Sequence, residues 1–306
     1  MNAIYSIMRF KVFSIMAIAA LALAGCSPRE AVKTNRVGHV FLIGLDGWGA
    51  YSVGKSDMVN VKNLMENGSY TLKKRTVLPS HSAANWASMW MGVGPEVHGF
   101  YECCSRTPDL EPRMTPENGI FPTVFQLLRD KEPDAEIGCL YEWDGIKYLI
   151  DTMSVNRYEQ VPHADLCNAA KEYIKEKKPR LAAFIYDEPD HVGHSAGHDT
   201  PQYYEVLVRL DKWIGEIVLA IEEAGIMDDS VIILTSDHGG INNGHGGRTM
   251  MEMETPLIIC GKGIRQGYCF DDLSVMQFDI ASTMAALLGL EQPQPWFGRP
   301  LTQIFE

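Results

Sequence analysis

Six aspartates and histidines and one serine carry the chemistry that can be read from this chain: Asp46, Ser82, the pair Asp190 and His194, and the group Asp237, His238 and His245. Carboxylates and imidazoles bind divalent cations. Six of them suffice for two sites of three protein ligands each, with positions left open for a substrate. Mixed Asp and His ligation suits Zn²⁺, and Mn²⁺ or Fe tolerate the same donors. Ser82 lies in a stretch where Pro79, Ser80 and His81 break an extended run and Ala83 to Met91 forms a helix closed by Gly92. It therefore sits at or just before a helix N-terminus, where unpaired N–H groups and the positive end of the dipole favour an alkoxide or an attacked phosphate. Taken singly, Ser82 reads first as an ordinary helix cap, and Asp46 reads equally as a cap or turn residue before Gly47. The set as a whole is harder to explain as caps.

The elements that must position these residues follow from the apolar runs. His39 to Leu45, Ile137 to Tyr141, Leu181 to Tyr186, Val231 to Ser236 and Pro256 to Cys260 are strand-length segments of nearly continuous hydrophobicity, the pattern of strands covered on both faces. Between them lie helical patterns at Val61 to Asn67, Pro122 to Lys131, His163 to Lys178, Tyr203 to Ile221 and Gln277 to Leu288. Alternating strands and helices predict an α/β fold, a doubly wound and mostly parallel sheet with helices on both faces. Asp46, Asp190 with His194, and Asp237 with His238 each follow a strand. Ligands of such sheets collect at the carboxyl ends of the strands, so these residues are expected to meet on one edge beside Ser82. His98 reads as a structural histidine in a loop, and Phe100 to Pro122 as a long irregular segment.

The strand ending in Asp46, the turn from Pro79 to Gly99, the run Glu188-Pro-Asp190 through His194, and Ser236-Asp-His-Gly239 resemble the alkaline phosphatase superfamily, and within it the type I phosphodiesterase and nucleotide pyrophosphatase branch. The resemblance covers most of the chain after the N-terminal segment. It implies two divalent metal ions, one held by Asp190, His194 and His245, the other by Asp46, Asp237 and His238 with the Ser82 oxygen. It also implies Ser82 as nucleophile, a phosphoseryl intermediate, and Asn85 as a holder of a substrate oxygen. Two residues depart from the branch: Ala84 stands where Pro is usual and His81 where Lys is frequent. His245 follows His238 by only seven residues, whereas many members carry a large insertion before the last histidine.

Composition sets the outer limits. With 306 residues, 46% hydrophobic and 22% charged, the chain can bury a full core. Residues 1–25 carry Arg9 and Lys11 before an apolar run ending Leu23-Ala-Gly-Cys26, which reads as a signal peptide and resembles the bacterial lipoprotein box. The expected organisation is a signal peptide over 1–25, a polar tether over 26–37 and a single catalytic domain over 38–306. The protein is expected in a bacterial cell envelope, facing the periplasm or the surface and held to the membrane through a lipid on Cys26. Removing residues 1–25 takes away two basic and no acidic residues and moves the formal charge from −12 to −14. So acidic a chain disfavours long nucleic acid as a partner. The six remaining cysteines show no metal-finger spacing, and Cys260 with Cys269, flanking a short Gly-rich turn, form the first expected disulfide.

The expected substrate is a small phosphorylated molecule. A phosphomonoester brings close to two negative charges and rewards an Arg beside the nucleophile, whereas a diester brings one. The Ser82 turn supplies Asn85 and Trp86, with Lys73, Lys74 and Arg75 before it and His81 and Arg248 as further basic groups. This favours diesters or nucleotide pyrophosphates, with Trp143 or Tyr101 available to stack on an aromatic leaving group. A phosphomonoesterase is the alternative within the same chemistry. A sulfatase shares the fold, but Ser82-Ala-Ala-Asn-Trp lacks the Arg of the formylglycine motif. A non-catalytic binding lipoprotein is a further alternative, and bound metal separates it from the enzyme.

Overall fold

The computed structural model describes residues 35–117 and 119–306, which belong to one compact unit. The expected signal peptide, Cys26 and nearly all of the expected tether lie outside the described residues. Among the described residues no helix is long and apolar enough to cross a membrane.

Eight strands form one sheet: β1 (His39–Leu45), β2 (Gly68–Arg75), β3 (Ile137–Tyr141), β4 (Arg157–Gln160), β5 (Leu181–Tyr186), β6 (Ser230–Thr235), β7 (Glu254–Gly261) and β8 (Tyr268–Cys269). Their order across the sheet is β4-β3-β5-β1-β6-β7-β2-β8. Strands β4, β3, β5, β1 and β6 run parallel, while β7 is antiparallel to both β6 and β2. The alternation of side chains along β1 explains its unbroken hydrophobicity. Val40 and Leu42 enter one core, and Phe41, Ile43 and Leu45 enter the other.

Helices α2 (Ser82–Met91), α3 (Val124–Lys131) and α7 (Asp279–Leu288) cover the first face. Helices α1 (Val59–Glu66), α4 (Leu166–Lys177) and α6 (Pro201–Glu223) cover the second, and the short α5 (Asp190–Ala196) precedes α6. Local chemistry sets several ends. Thr123 and Thr200 accept hydrogen bonds from Gln126 N and Tyr203 N as N-caps, and Gly92 closes α2 at φ 64°.

The expected Cys260–Cys269 disulfide is corrected here: all six described cysteines are free. Cys260 pairs with Gly68 and Cys269 with Tyr70, so β2 lies between them. Two strand spacings, roughly 9–10 Å, exceed the ~7 Å that a disulfide spans between Cα atoms.

Candidate active site

The sheet order places β1 between β5 and β6, all three parallel, so their carboxyl ends are neighbours. Asp46 follows β1 directly, Asp190 opens α5 after β5, and Asp237 and His238 follow β6. Backbone bonds lock the three ends together: Asp46 N donates to Tyr186 O (3.0 Å) and Asp190 N to Asp46 O (3.0 Å). Gly47 N donates to Asp237 Oδ1 (3.2 Å).

Ser82 is the first residue of α2 and is 6% exposed. Its Oγ lies 3.0 Å from His238 Nε2. From the next turn of the same helix, Trp86 Nε1 donates to Asp46 Oδ2 (3.0 Å), so α2 supplies a hydroxyl and orients a carboxylate at once. His238 Nε2 is 3.4 Å from Asp46 Oδ1 and 3.2 Å from Asp237 Oδ2. On the other side, Asp190 Oδ2 lies 3.1 Å from His194 Nε2 and 3.7 Å from His245 Nε2. Two groups have donor atoms close enough to share an ion: Asp190, His194 and His245, and Asp46, Asp190 and His238. Asp237 borders the second through His238.

Three features make these residues fit divalent cations. His238 Nδ1 donates to Gly239 O (2.8 Å), His194 Nδ1 to Asn243 O (3.0 Å) and His245 Nδ1 to Ser80 O (3.1 Å). Each bond makes Nδ1 the donor; in His238 and His245 this leaves the Nε2 lone pair facing the carboxylates, the usual arrangement of a metal-binding histidine, while the Asp190 carboxylate 3.1 Å from His194 Nε2 raises that imidazole to about 9. Asp46 Oδ1, Asp190 Oδ1 and Asp237 Oδ2 are buried without hydrogen-bond partners among the described residues, a costly arrangement for polar atoms unless something else satisfies them. The charges are also unbalanced. Burial, then Asp237 and Asp190, push the Asp46 carboxyl well up, and burial, then Asp190, raise Asp237 to about 7. Burial lowers His238 and His245 to about 4, which keeps them neutral and able to donate a lone pair. Burial opposes ionisation of Asp190 too, but His194 at 3.1 Å, with the other histidines around it, outweighs burial and holds its carboxyl below the usual range.

The short loop between His238 and His245 is laid against both neighbours. A bridge between Ile241 and Gly244 tightens it, and His198 N donates to Asn242 O (2.6 Å). Gly246 N donates to Ser80 Oγ (3.1 Å), which in turn donates to Gly247 O (2.7 Å). Seven residues thus suffice to return His245 to the site.

A cavity of about 180 Å³ opens over these groups, lined by Asp46, Ser82, Asp190, His194 and His245, with Trp143, Asp187, His191, Cys103 and Cys104 completing the wall. Among the described residues no Lys or Arg lines it, and Arg248 is not part of the wall. Trp143 borders the cavity as expected of a stacking residue, whereas Tyr101 does not. His98 is structural: its Nε2 pairs with Ser88 Oγ (2.9 Å) and its Nδ1 accepts from Phe100 N (3.1 Å).

Asn85 differs from expectation. It is fully buried and absent from the cavity wall. Its Oδ1 accepts from Val77 N (2.8 Å), and its Nδ2 donates to His81 O (2.9 Å) and Pro79 O (3.3 Å). With both ends of the amide committed to the turn before Ser82, nothing remains to hold a substrate oxygen. Asn85 shapes the turn that presents the serine.

Two further residues join the site: His198, not singled out in the sequence, and Lys74, named there only as a basic group before the turn. His198 is buried with Nε2 3.5 Å from Asp190 Oδ1, and only its place eight residues after Asp190 and four after His194 hints at it. Lys74 is fully buried and donates to Ser236 O (2.7 Å) and to Gln277 Oε1, directly behind Asp237. Burial pushes its ammonium down to about 7, against the pull of Asp237. Lys74→Met, which keeps the volume and removes these donors, is expected to destabilise the fold by roughly 1–3 kcal/mol. Urea unfolding with an unchanged midpoint would contradict that.

The comparisons with known proteins agree with this geometry. The family model described as type I phosphodiesterase / nucleotide pyrophosphatase matches residues 40–257. The mouse bis(5′-adenosyl)-triphosphatase enpp4 is 25% identical over 220 residues, covering 66% of this chain and 47% of that protein. The chain spans less than half the length of the curated relatives it matches first. Among solved structures, an inactive variant of murine ectonucleotide pyrophosphatase / phosphodiesterase 5 in complex with AMP superposes with a TM-score of 0.73 at 15% identity, over 88% of this chain and 100% of that one. A 2-O GAG sulfatase gives 0.70 at 14% identity, over 88% and 74%. The strand-end acids, the serine at the head of α2 and the family match over most of the described residues lead to one assignment: the chain belongs to the type I phosphodiesterase / nucleotide pyrophosphatase family.

Proposed function

We propose that this protein is a metal-dependent hydrolase of phosphodiesters or nucleotide pyrophosphates that works through a covalent phosphoseryl intermediate on Ser82. The observation that carries the reading is the set of three histidines whose Nδ1 atoms are tied to backbone carbonyls and whose Nε2 atoms converge on the Asp46, Asp190 and Asp237 carboxylates, each of which keeps one buried partnerless oxygen, around one serine hydroxyl. Asp190, His194 and His245 would hold one divalent ion, and Asp46, Asp237 and His238 with Ser82 Oγ the other. Asp190 is near enough to both groups to border each. Bound there, two cations of the Zn²⁺ type supply the positive charge that lowers the pKa of the serine hydroxyl and offsets the charge on phosphoryl oxygens.

The chain's own residues do the positioning. The Asn85 amide holds the Val77–His81 turn, Trp86 holds Asp46, and the head of α2 aims Ser82 Oγ into the cavity at the positive end of its helix dipole. Ser82 Oγ attacks phosphorus and one ester oxygen departs. Water then cleaves the seryl ester and returns the hydroxyl. The absence of Lys and Arg from the wall supports diesters over monoesters, because the second charge of a monoester finds no guanidinium partner there.

Side-by-side kinetics on bis(4-nitrophenyl) phosphate, 4-nitrophenyl phosphate and 4-nitrophenyl sulfate test the substrate class. The diester is expected to have the highest kcat/KM. A monoester preference of about tenfold or more, roughly 1.4 kcal/mol in barrier, would move the assignment to a phosphatase. A sulfate ester as best substrate would move it to a sulfatase.

The N-terminal residues support a place for this chemistry in a bacterial envelope. If Cys26 is acylated, Cys26→Ser is expected to release the protein from the membrane fraction. A variant that stays with the membrane would contradict lipid anchoring.

A further inference from the structure

Asp187 and His191 belong to two cavities at once: the catalytic one of about 180 Å³ and a second of about 580 Å³ that reaches Glu142, Gln160 and His163. The strand order explains the adjacency, because β3, which ends at Tyr141 before Glu142, pairs with β5, which ends before Asp187. The catalytic cavity is below the size range of small-molecule sites, about 300–1,000 Å³, and the second is within it. An ester arm on a phosphorus held at Ser82 must extend beyond the first cavity, and the second is the space that adjoins it.

The walls of this second cavity are short of hydrogen-bond donors. Glu142 has a side chain only 4% exposed, and its Oε2 accepts from Asp187 N (2.8 Å) and His163 Nδ1 (2.7 Å). Its Oε1 is buried with no partner among the described residues. Glu188 Oε2 accepts from Val192 N (3.0 Å), and its Oε1 faces the Arg209 guanidinium at 3.7 Å. Among the described residues the Asp187 carboxylate, at the junction of the two cavities, makes no ion pair and no hydrogen bond, and the His191 imidazole is the cationic-type group beside it on the wall. Among the described residues no Lys or Arg lines the cavity. His163 and Arg209 each answer one of the three carboxylates, and Asp187 and Glu142 Oε1 are left to receive donors from whatever enters. An arm carrying further phosphates would meet like charge there, whereas an ammonium brings a positive charge and three donors.

We propose that this cavity is a substrate subsite for an ammonium-bearing alcohol arm of the phosphodiester, received by Glu142 and Asp187. The proposal rests on the hydrolase reading and narrows it, since it disfavours polyphosphate arms.

The test compares 2-aminoethyl 4-nitrophenyl phosphate with propyl 4-nitrophenyl phosphate, using the metal-loaded protein. The two esters share phosphorus chemistry and leaving group and differ in one terminal group. The aminoethyl ester is expected to have at least tenfold higher kcat/KM. Glu142→Gln, which keeps the shape and the acceptor for Asp187 N, should shrink that ratio at least fivefold, and Asp187→Asn should act in the same direction. A wild-type ratio near one, or a ratio that both variants leave intact, overturns the subsite. If neither ester is hydrolysed, the hydrolase reading fails, and the subsite is judged by calorimetric binding of phosphoethanolamine against propyl phosphate. At least tenfold tighter binding of the amine, weakened by Glu142→Gln, supports it, and equal binding overturns it.

Discussion

Ser82→Ala is expected to lower kcat/KM on a diester by at least about a thousandfold, roughly 4 kcal/mol of transition-state stabilisation, while the fold survives. The hydroxyl is nearly buried at the head of α2, 3.0 Å from His238 Nε2, and makes no bond on which the helix depends. Its loss removes the atom that forms the covalent bond and leaves the cores on both faces of the sheet untouched. Thermal unfolding should therefore stay close to wild type, and bound metal should fall by one ion per chain at most. A variant within about tenfold of wild type would mean that another group attacks phosphorus, or that water does so directly.

Asp190→Ala is expected to abolish activity together with metal binding. Asp190 touches both halves of the site: its Oδ2 faces His194 and His245, and its carboxylate groups with Asp46 and His238. Its removal leaves each ion under-coordinated, a heavier loss than Asp237→Ala, which affects the second half alone. Exhaustive chelation of the wild type should give the same inactive state, and Zn²⁺ should restore it. The check is elemental analysis alongside activity. Full turnover after chelation, or an Asp190→Ala variant that keeps both ions, would contradict the two-ion arrangement.

The central strands and the acids that end them were legible because burial on both faces leaves continuous apolar runs, and because a polar residue directly after such a run has few places to go but the sheet edge. The strands that escaped notice are those where that pattern fails. Strand β2 reads Gly68-Ser-Tyr-Thr-Leu-Lys-Lys-Arg75, and its register shifts between Thr71 and Lys74, so a lysine turns inward where alternation suggested solvent. Strands β4 and β8 lie at the sheet edges with half-exposed side chains. The metal-type residues were legible by chemistry, and their partners were not. That Trp86 holds Asp46, that Lys74 sits behind Asp237 and that the Asn85 amide is committed to its own turn are facts of tertiary contact, which sequence spacing does not encode. Glu142 follows a strand just as Asp46 does, yet only the sheet order reveals that it stands beside Asp187 rather than with the histidines.

The stereochemical course at phosphorus tests the central claim most directly. A diester made chiral at phosphorus by one sulfur, hydrolysed in ¹⁸O-water, reports whether displacement occurs once or twice. Attack by Ser82 Oγ followed by attack of water inverts the centre twice, so net retention is predicted, with no turnover by Ser82→Ala. Net inversion would mean a single direct attack by water and would contradict the phosphoseryl intermediate.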